Sequence, residues 1–321
     1  MGEAPAPAIG KDYHGIIGRA LSEGYVVACP GARGRDTVVD GVYVGRGDLP
    51  MTDFAHIDIA YEWLFSADRA NGLYEGNKKD AAVSRRMAKA FEVYVNRLHL
   101  TDPETGEAIG FEGEDTYSPY LLKKLSEAAT KYLSEQSQEE QNAWLADPFN
   151  QPVLDWDGEK ASVTDLKAYV NWNTGRWMKY LGCYDGFFSR PSRENEAFGE
   201  SDGSLGHFSL PMGEVLAASP EYAKEGQEWI EEAWKNAKGE YLVNPMNFIG
   251  TDEVSTIAPH WYMRCGCHHE TTGNIFLNLA LKVLNCTDAD VNWRYSWPMR
   301  HTGISDIEQD EAFEYFNRIC R

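Results

Sequence analysis

The sequence predicts an α/β protein whose mostly parallel, incomplete sheet is interrupted by an inserted, mainly helical lid. Three observations carry this expectation. An apolar, strand-like run ends in a glycine-rich turn near the amino terminus, a long middle region alternates helices with loops, and the carboxyl end reads strand, helix, strand, helix. The core is accordingly assigned to residues 1–146 and 246–321, and the lid to residues 147–245.

Ile16 to Leu21 has helical spacing and stops at Gly24, after which Tyr25-Val26-Val27-Ala28-Cys29 reads as a buried strand halted by Pro30-Gly31. The turn Gly31-Ala32-Arg33-Gly34-Arg35-Asp36 then stands where the carboxyl end of a strand opens onto a site. A helical pattern begins at Ile57, and Met87, Phe91, Val95 and Leu98 form one apolar stripe, which is core. Ser118-Pro119 opens a further helix through Leu121, Leu122, Leu125 and Leu133, and the polar run from Ser134 to Gln141 reads as its solvated continuation. Asp147-Pro148 breaks that pattern, and Val153 to Val163 reads as a hairpin turning at Asp157-Gly158.

After the middle region, His260 to Cys265 is strand-like and Ile275 to Leu284 is helical. Val291, Trp293, Tyr295 and Trp297 alternate with polar residues in the period of two that marks a strand. Ser305-Asp306-Ile307-Glu308 has the spacing of a capping box, opening a last helix with Ala312, Phe313, Phe316 and Ile319 inward.

Composition narrows the function. Of 321 residues, 43% are hydrophobic and 25% charged, enough for a sizeable core, and the net charge of −20 repels nucleic acid and anionic membrane surfaces. No apolar run reaches membrane-spanning length, and the amino terminus lacks the basic and apolar regions of a secretory signal. The expectation is a cytoplasmic chain, or a secreted one if the start is truncated. Six dispersed cysteines do not make a disulfide scaffold. Ten Trp and seventeen Tyr, many between Tyr169 and Trp234, suit either packing or a surface that receives a planar ligand. No cofactor is expected.

His301 follows the last strand and precedes the last helix, the place from which a general base reaches across the carboxyl edge of a sheet. A lone loop histidine is more often structural, so placement alone singles it out. Cys265-Gly266-Cys267-His268-His269-Glu270 collects metal-type donors, but they crowd together and no second cluster completes a tetrahedral set. A metal-dependent hydrolase remains an alternative, and the competing role for the loop is to carry the triad acid as Glu270. The Gly199-Glu200-Ser201-Asp202-Gly203 match lacks the strand before it and the helix after it that a nucleophile elbow needs, so Ser201 is rejected.

The chain resembles the bacterial, subtype B, tannase and tannase-like feruloyl esterase family of α/β hydrolases. Four places carry the likeness: Ala20 to Arg35, Ala60-Tyr61-Glu62-Trp63-Leu64-Phe65, the middle-region residues Met178-Lys179, Glu194-Asn195 and Phe198-Gly199, and the stretch from Ile249-Gly250-Thr251 through His260-Trp261 and Gly266 to His301. The resemblance implies an α/β-hydrolase-like fold, cleavage of galloyl or related aromatic esters, His301 as general base, and Lys179 and Glu194 as partners of phenolic hydroxyls. Two departures stand out. Where the family has a helix, a central strand and the Gly-x-Ser-x-Gly elbow, only residues 36–60 intervene here, and they contain no serine. In the acid loop His269 falls on the triad acid and Thr271 on the second aspartate, so Glu270 serves only if the loop shifts by one residue. The readings are therefore a tannase-like ester hydrolase relative whose activity is in question because no serine nucleophile is found, a non-catalytic degenerate hydrolase or truncated gene product that binds phenolic ligands, or a metal-dependent hydrolase using the Cys265 to Glu270 cluster.

Overall fold

The computed structural model describes residues 14–27, 38–39, 42–43, 78–151, 153–166, 168–169, 172, 198, 206–243, 245–251, 256–268, 273–299 and 308–320. In chain order the elements begin with α1 (His14–Ser22), a short antiparallel pair β1 (Val38–Val39) and β2 (Val42–Tyr43), α2 (Lys78–Leu98), and a second pair β3 (Leu100–Thr101) and β4 (Ala108–Ile109). They continue with α3 (Tyr117–Glu135), α4 (Gln138–Ala146), the hairpin β5 (Asp155–Trp156) and β6 (Ala161–Ser162), α5 (Leu210–Ala217) and α6 (Ala223–Val243). The carboxyl end is β7 (His260–Gly266), α7 (Gly273–Cys286), β8 (Asp290–Ser296) and α8 (Gln309–Cys320).

That carboxyl end is the unit its periodicity predicts. β7 and β8 pair in parallel from His260↔Asp290 to Gly266↔Ser296, joined by α7. Trp293 and Tyr295 turn one face of β8 onto Phe276 of α7, and Arg294 and Ser296 turn the other toward Glu308 and α8. On α7, Leu277, Ala280, Leu281 and Val283 are fully buried. Its last turn is fastened by Asn285, whose Oδ1 accepts from the Thr101 N–H at 2.9 Å and whose Nδ2 donates to the Thr101 carbonyl at 3.0 Å. Asn285→Ala is expected to lower stability by about 1–3 kcal/mol, because both main-chain groups lose these partners. A reduced urea midpoint at unchanged slope would show it.

α3 lies alongside β8 with Tyr117, Tyr120, Leu121, Leu125, Ala128, Ala129 and Leu133 buried, the row that a helix with one core face produces. Two hydroxyls on α3 explain its join to the β5–β6 hairpin. Ser126 and Thr130 donate to the carbonyls four residues back and accept from the main-chain N–H of Val163 and Ala161, each at 2.9 Å. The hairpin turns where expected. Gly158 takes the positive φ that an L side chain resists, and Asp157 Oδ1 accepts from the N–H groups of Glu159 and Lys160. In the middle region α5 and α6 cross closely at Gly226, where an added Cβ would stand 2.1 Å from the main-chain nitrogen of Ala217.

Two expectations are corrected. Tyr25 to Val27 joins no strand ladder, and Val26 is 96% exposed. An apolar run becomes a buried strand only beside another strand, and none of the described strands pairs with it. Tyr25 instead packs on Phe313 and Phe316 of α8 and donates from its hydroxyl to Asn317 Oδ1 at 2.7 Å. The helix starting at Tyr117 does not run on through Gln141. It stops at Glu135, and Ser137 caps the new helix α4 in a reciprocal capping box with Glu140. The expected capping box begins at Ser305, outside the described residues; the Glu308 carboxylate meets Arg264, Arg294 and the Ser296 hydroxyl. Among the described residues the parallel sheet has two strands, and no helix is long and apolar enough to cross a membrane.

Candidate active site at the carboxyl ends of β7 and β8

Parallel strands gather function at their carboxyl ends, where successive loops leave the sheet side by side. Here the two exits are bonded together. The Cys267 N–H donates to the Ser296 carbonyl at 3.0 Å, and the His268 N–H donates to the Met299 carbonyl at 2.9 Å. Glu270 and His301 each follow that last pair by two positions in the chain, and both lie outside the described residues, as do Lys179 and Glu194. The described structure thus fixes the backbone that leads into the expected base and acid.

Over these exits stands a ladder of rings that the sequence showed only as aromatic content. Trp172 is clamped between His268, at 4.3 Å and 24°, and Trp297, at 4.6 Å and 7°. Phe149 lies beside both rings, 5.8 Å from His268 and 6.4 Å from Trp172, and is 44% exposed, so the ring cluster reaches the surface. Trp144 meets Trp297 edge-on at 6.0 Å. Polar tips lock the assembly: Trp172 Nε1 donates to Asn150 Oδ1 at 3.0 Å, Asn150 Nδ2 donates to the Trp144 carbonyl at 3.1 Å, and the Tyr169 hydroxyl donates to the Cys267 carbonyl at 2.7 Å. One donor is left over. The indole N–H of Trp297 is buried and makes no hydrogen bond, which is unusual for a buried polar group.

This arrangement bears on the cysteine and histidine cluster. Cys267 is fully buried, and burial pushes its thiol well above the ordinary value, with the neighbouring Cys265 adding to the shift. The His268 ring is occupied as a stacking partner, and no group of three metal donors occurs among the described residues. His269 and Glu270 lie outside them.

The other face of the two strands is held by charge. Arg264, with 5% of its side chain exposed, has its guanidinium 3.8 Å from the Tyr262 ring centre and donates to the Asn292 carbonyl and Oδ1 and to Glu311. Its Nε stands 2.6 Å from Glu308 Oε2 without hydrogen-bond alignment, so the attraction there is that of opposite charges. Arg294 and Lys131 also reach Glu311. Burial pushes the Glu311 carboxyl up, but its hydrogen bonds and charges from Arg294, Lys131 and Arg264 outweigh that and bring it to about 2. α8 is thereby fixed under the carboxyl-terminal strands.

No protein-family model matches the chain, and no curated protein matches it by sequence. Solved structures do match. A tannase from Lactobacillus plantarum superposes with a TM-score of 0.64 at 20% identity, covering 85% of this chain and 56% of that one. A Fusobacterium nucleatum tannase gives 0.59 at 21% identity over 85% and 58%. A tannin acyl hydrolase in complex with ethyl gallate gives 0.62 at 21% identity over 85% and 55%. The chain therefore spans little more than half the length of the structures it matches, and over 85% of its own length it has the fold of the bacterial tannases.

Proposed function

We propose that the chain is a tannase-like carboxylic ester hydrolase relative that receives galloyl or related aromatic acyl groups and lacks the covalent serine route. The observation that carries this reading is the ring ladder over the exits of β7 and β8, with the unspent Trp297 indole N–H beside the segment that leads to His301. A flat acyl group suits an aromatic ledge, and a phenolic or carboxyl oxygen suits a buried donor that has no other partner. Two matched structures hold ligands of that chemistry, ethyl gallate and 3,4-dihydroxybenzoate. Residues 147–245 would form the lid, with Lys179 donating to phenolic oxygens and Glu194 accepting from phenolic hydroxyls.

In an intact triad a serine hydroxyl attacks the ester carbonyl, a histidine takes its proton and returns it to the leaving alcohol, and an acid orients the histidine. His301 and Glu270 would hold the last two places. Residues 36–60 supply no serine for the first, and an elbow-less chain retains only residual hydrolysis. Calorimetry with gallate tests the reading. Saturable binding that weakens in Lys179→Ala and in Trp297→Phe is expected, and the absence of binding, or binding indifferent to both changes, overturns it.

A further inference from the structure

We infer that α4 is a movable flap over the ring ladder: it comes away from the body of the protein to uncover the indole N–H of Trp297, and closes again with Trp144 against that ring. As the way in for an aromatic ligand the flap rests on the function proposed above, whereas the motion itself stands on geometry alone.

The donor is sealed. Trp297 is buried and its N–H has no hydrogen-bond partner, so an incoming oxygen meets that N–H only after a neighbour has moved. Among the described residues two indoles pack on Trp297. Trp172 lies flat on it, is itself buried, stacks on His268 as well and gives its own N–H to Asn150. Trp144 meets it edge-on and is carried by α4.

α4 is the lighter of the two covers. None of its nine residues is buried, and its apolar hold on the core is through the half-buried Trp144 and Leu145. Gln141 ties it to α3, donating from Nε2 to the Leu133 carbonyl at 2.8 Å, and Asn150 ties its last turn to the ladder, donating from Nδ2 to the Trp144 carbonyl at 3.1 Å. A segment with so few buried contacts opens locally well before the whole fold does.

Both ends of α4 are built to bend. Gln136 and Ser137, which separate it from α3, are extended with ψ of 151° and 157°, and Asp147 leaves it extended with ψ of 120°. A few such terminal dihedrals absorb the swing of a whole element. The capping box of Ser137 with Glu140 closes the first turn from within, so those groups keep their partners as α4 moves. Asn150 is the latch: opening breaks its bond to the Trp144 carbonyl and spares the one it accepts from Trp172, so the ladder stays in place while its cover leaves.

Hydrogen exchange on the ligand-free protein tests the motion. A helix this short does not hold its own hydrogen bonds once detached, so opening registers in its amides. The amides of α4 are expected to exchange at least about 100-fold faster than those of α3. Gln141→Ala, which removes the tie to α3 and leaves the rings untouched, should speed α4 by about tenfold, as the loss of one hydrogen bond allows, with α3 unchanged. The Trp297 indole proton, identified by NMR through its loss in Trp297→Phe, should speed up in step with α4. Gallate association measured by stopped flow should rise by the same factor, because it follows the open fraction. α4 exchanging no faster than α3, or an indole proton indifferent to Gln141→Ala while α4 speeds up, overturns the flap. Gallate associating at an unchanged rate through a faster α4 overturns its role in admitting the ligand. Gallate failing to bind at all counts against the proposed function instead, and the two exchange rates still decide the flap.

Discussion

Arg264→Ala is expected to destabilise the protein by about 3–5 kcal/mol, the range for breaking a buried ion pair by removing one partner. The guanidinium is the hub between β7, β8 and α8. Without it Glu308, whose side chain is 12% exposed, keeps Arg294 and loses its nearest cation, while the Asn292 carbonyl and amide lose a donor. Arg264→Met separates charge from bulk, since it keeps an unbranched stem and removes the guanidinium that lies over Tyr262. A methionine variant as stable as the wild type would show that packing, not the ion network, holds α8. The same network sets an acid limit. The Glu311 carboxyl lies at about 2 in the folded chain against 4.5 in its ordinary state, so its contribution is complete above pH 4.5 and is lost as pH falls toward 2. Glu311→Gln is expected to flatten that part of the stability profile, read from urea midpoints across the window. Its carboxylate is partly exposed, so solvent screening keeps the effect well below that of Arg264→Ala.

Trp172→Ala is expected to cost about 3–5 kcal/mol, the range for truncating a buried large aromatic residue. Trp172 is 3% exposed and is the middle rung between His268 and Trp297, so its loss leaves a gap between two rings and frees Asn150 Oδ1. Trp172→Phe retains a ring in the clamp and should recover more than half of the loss. If the ladder is also the ligand ledge, gallate affinity should fall in Trp172→Ala even at temperatures where the fold is intact. Equal loss of stability in the alanine and phenylalanine variants would contradict the stacking account.

What could be read from the sequence divides along physical lines. The carboxyl-terminal β7–α7–β8–α8 order was legible because each element carries its own period: Val291, Trp293 and Tyr295 alternate, and Ala312 and Phe313 lie on one helical face. Residues whose role depends on distant partners were not. Glu308 meets two arginines on the adjacent strands, partners that its own local spacing does not reveal. His268 reads as a metal donor beside two cysteines, and only the folded chain stacks Trp172 on its ring and sets Phe149 beside both. The Ser137–Glu140 capping box was visible as a pattern but lay inside a polar run that reads equally well as a solvated face. Tyr25 to Val27 shows the opposite failure, a strand-like run with no described neighbour to make it one. The expected base, acid and phenol-binding pair were reached through resemblance, and all four lie outside the described residues.

The central claim is that a tannase-type fold is present here without a serine nucleophile. Intact mass after treatment with a serine-directed fluorophosphonate, run beside a methyl gallate turnover assay, tests it most directly. The account predicts an unchanged mass and only residual turnover that His301→Ala barely alters. A stoichiometric serine adduct, together with turnover abolished by His301→Ala, would contradict it.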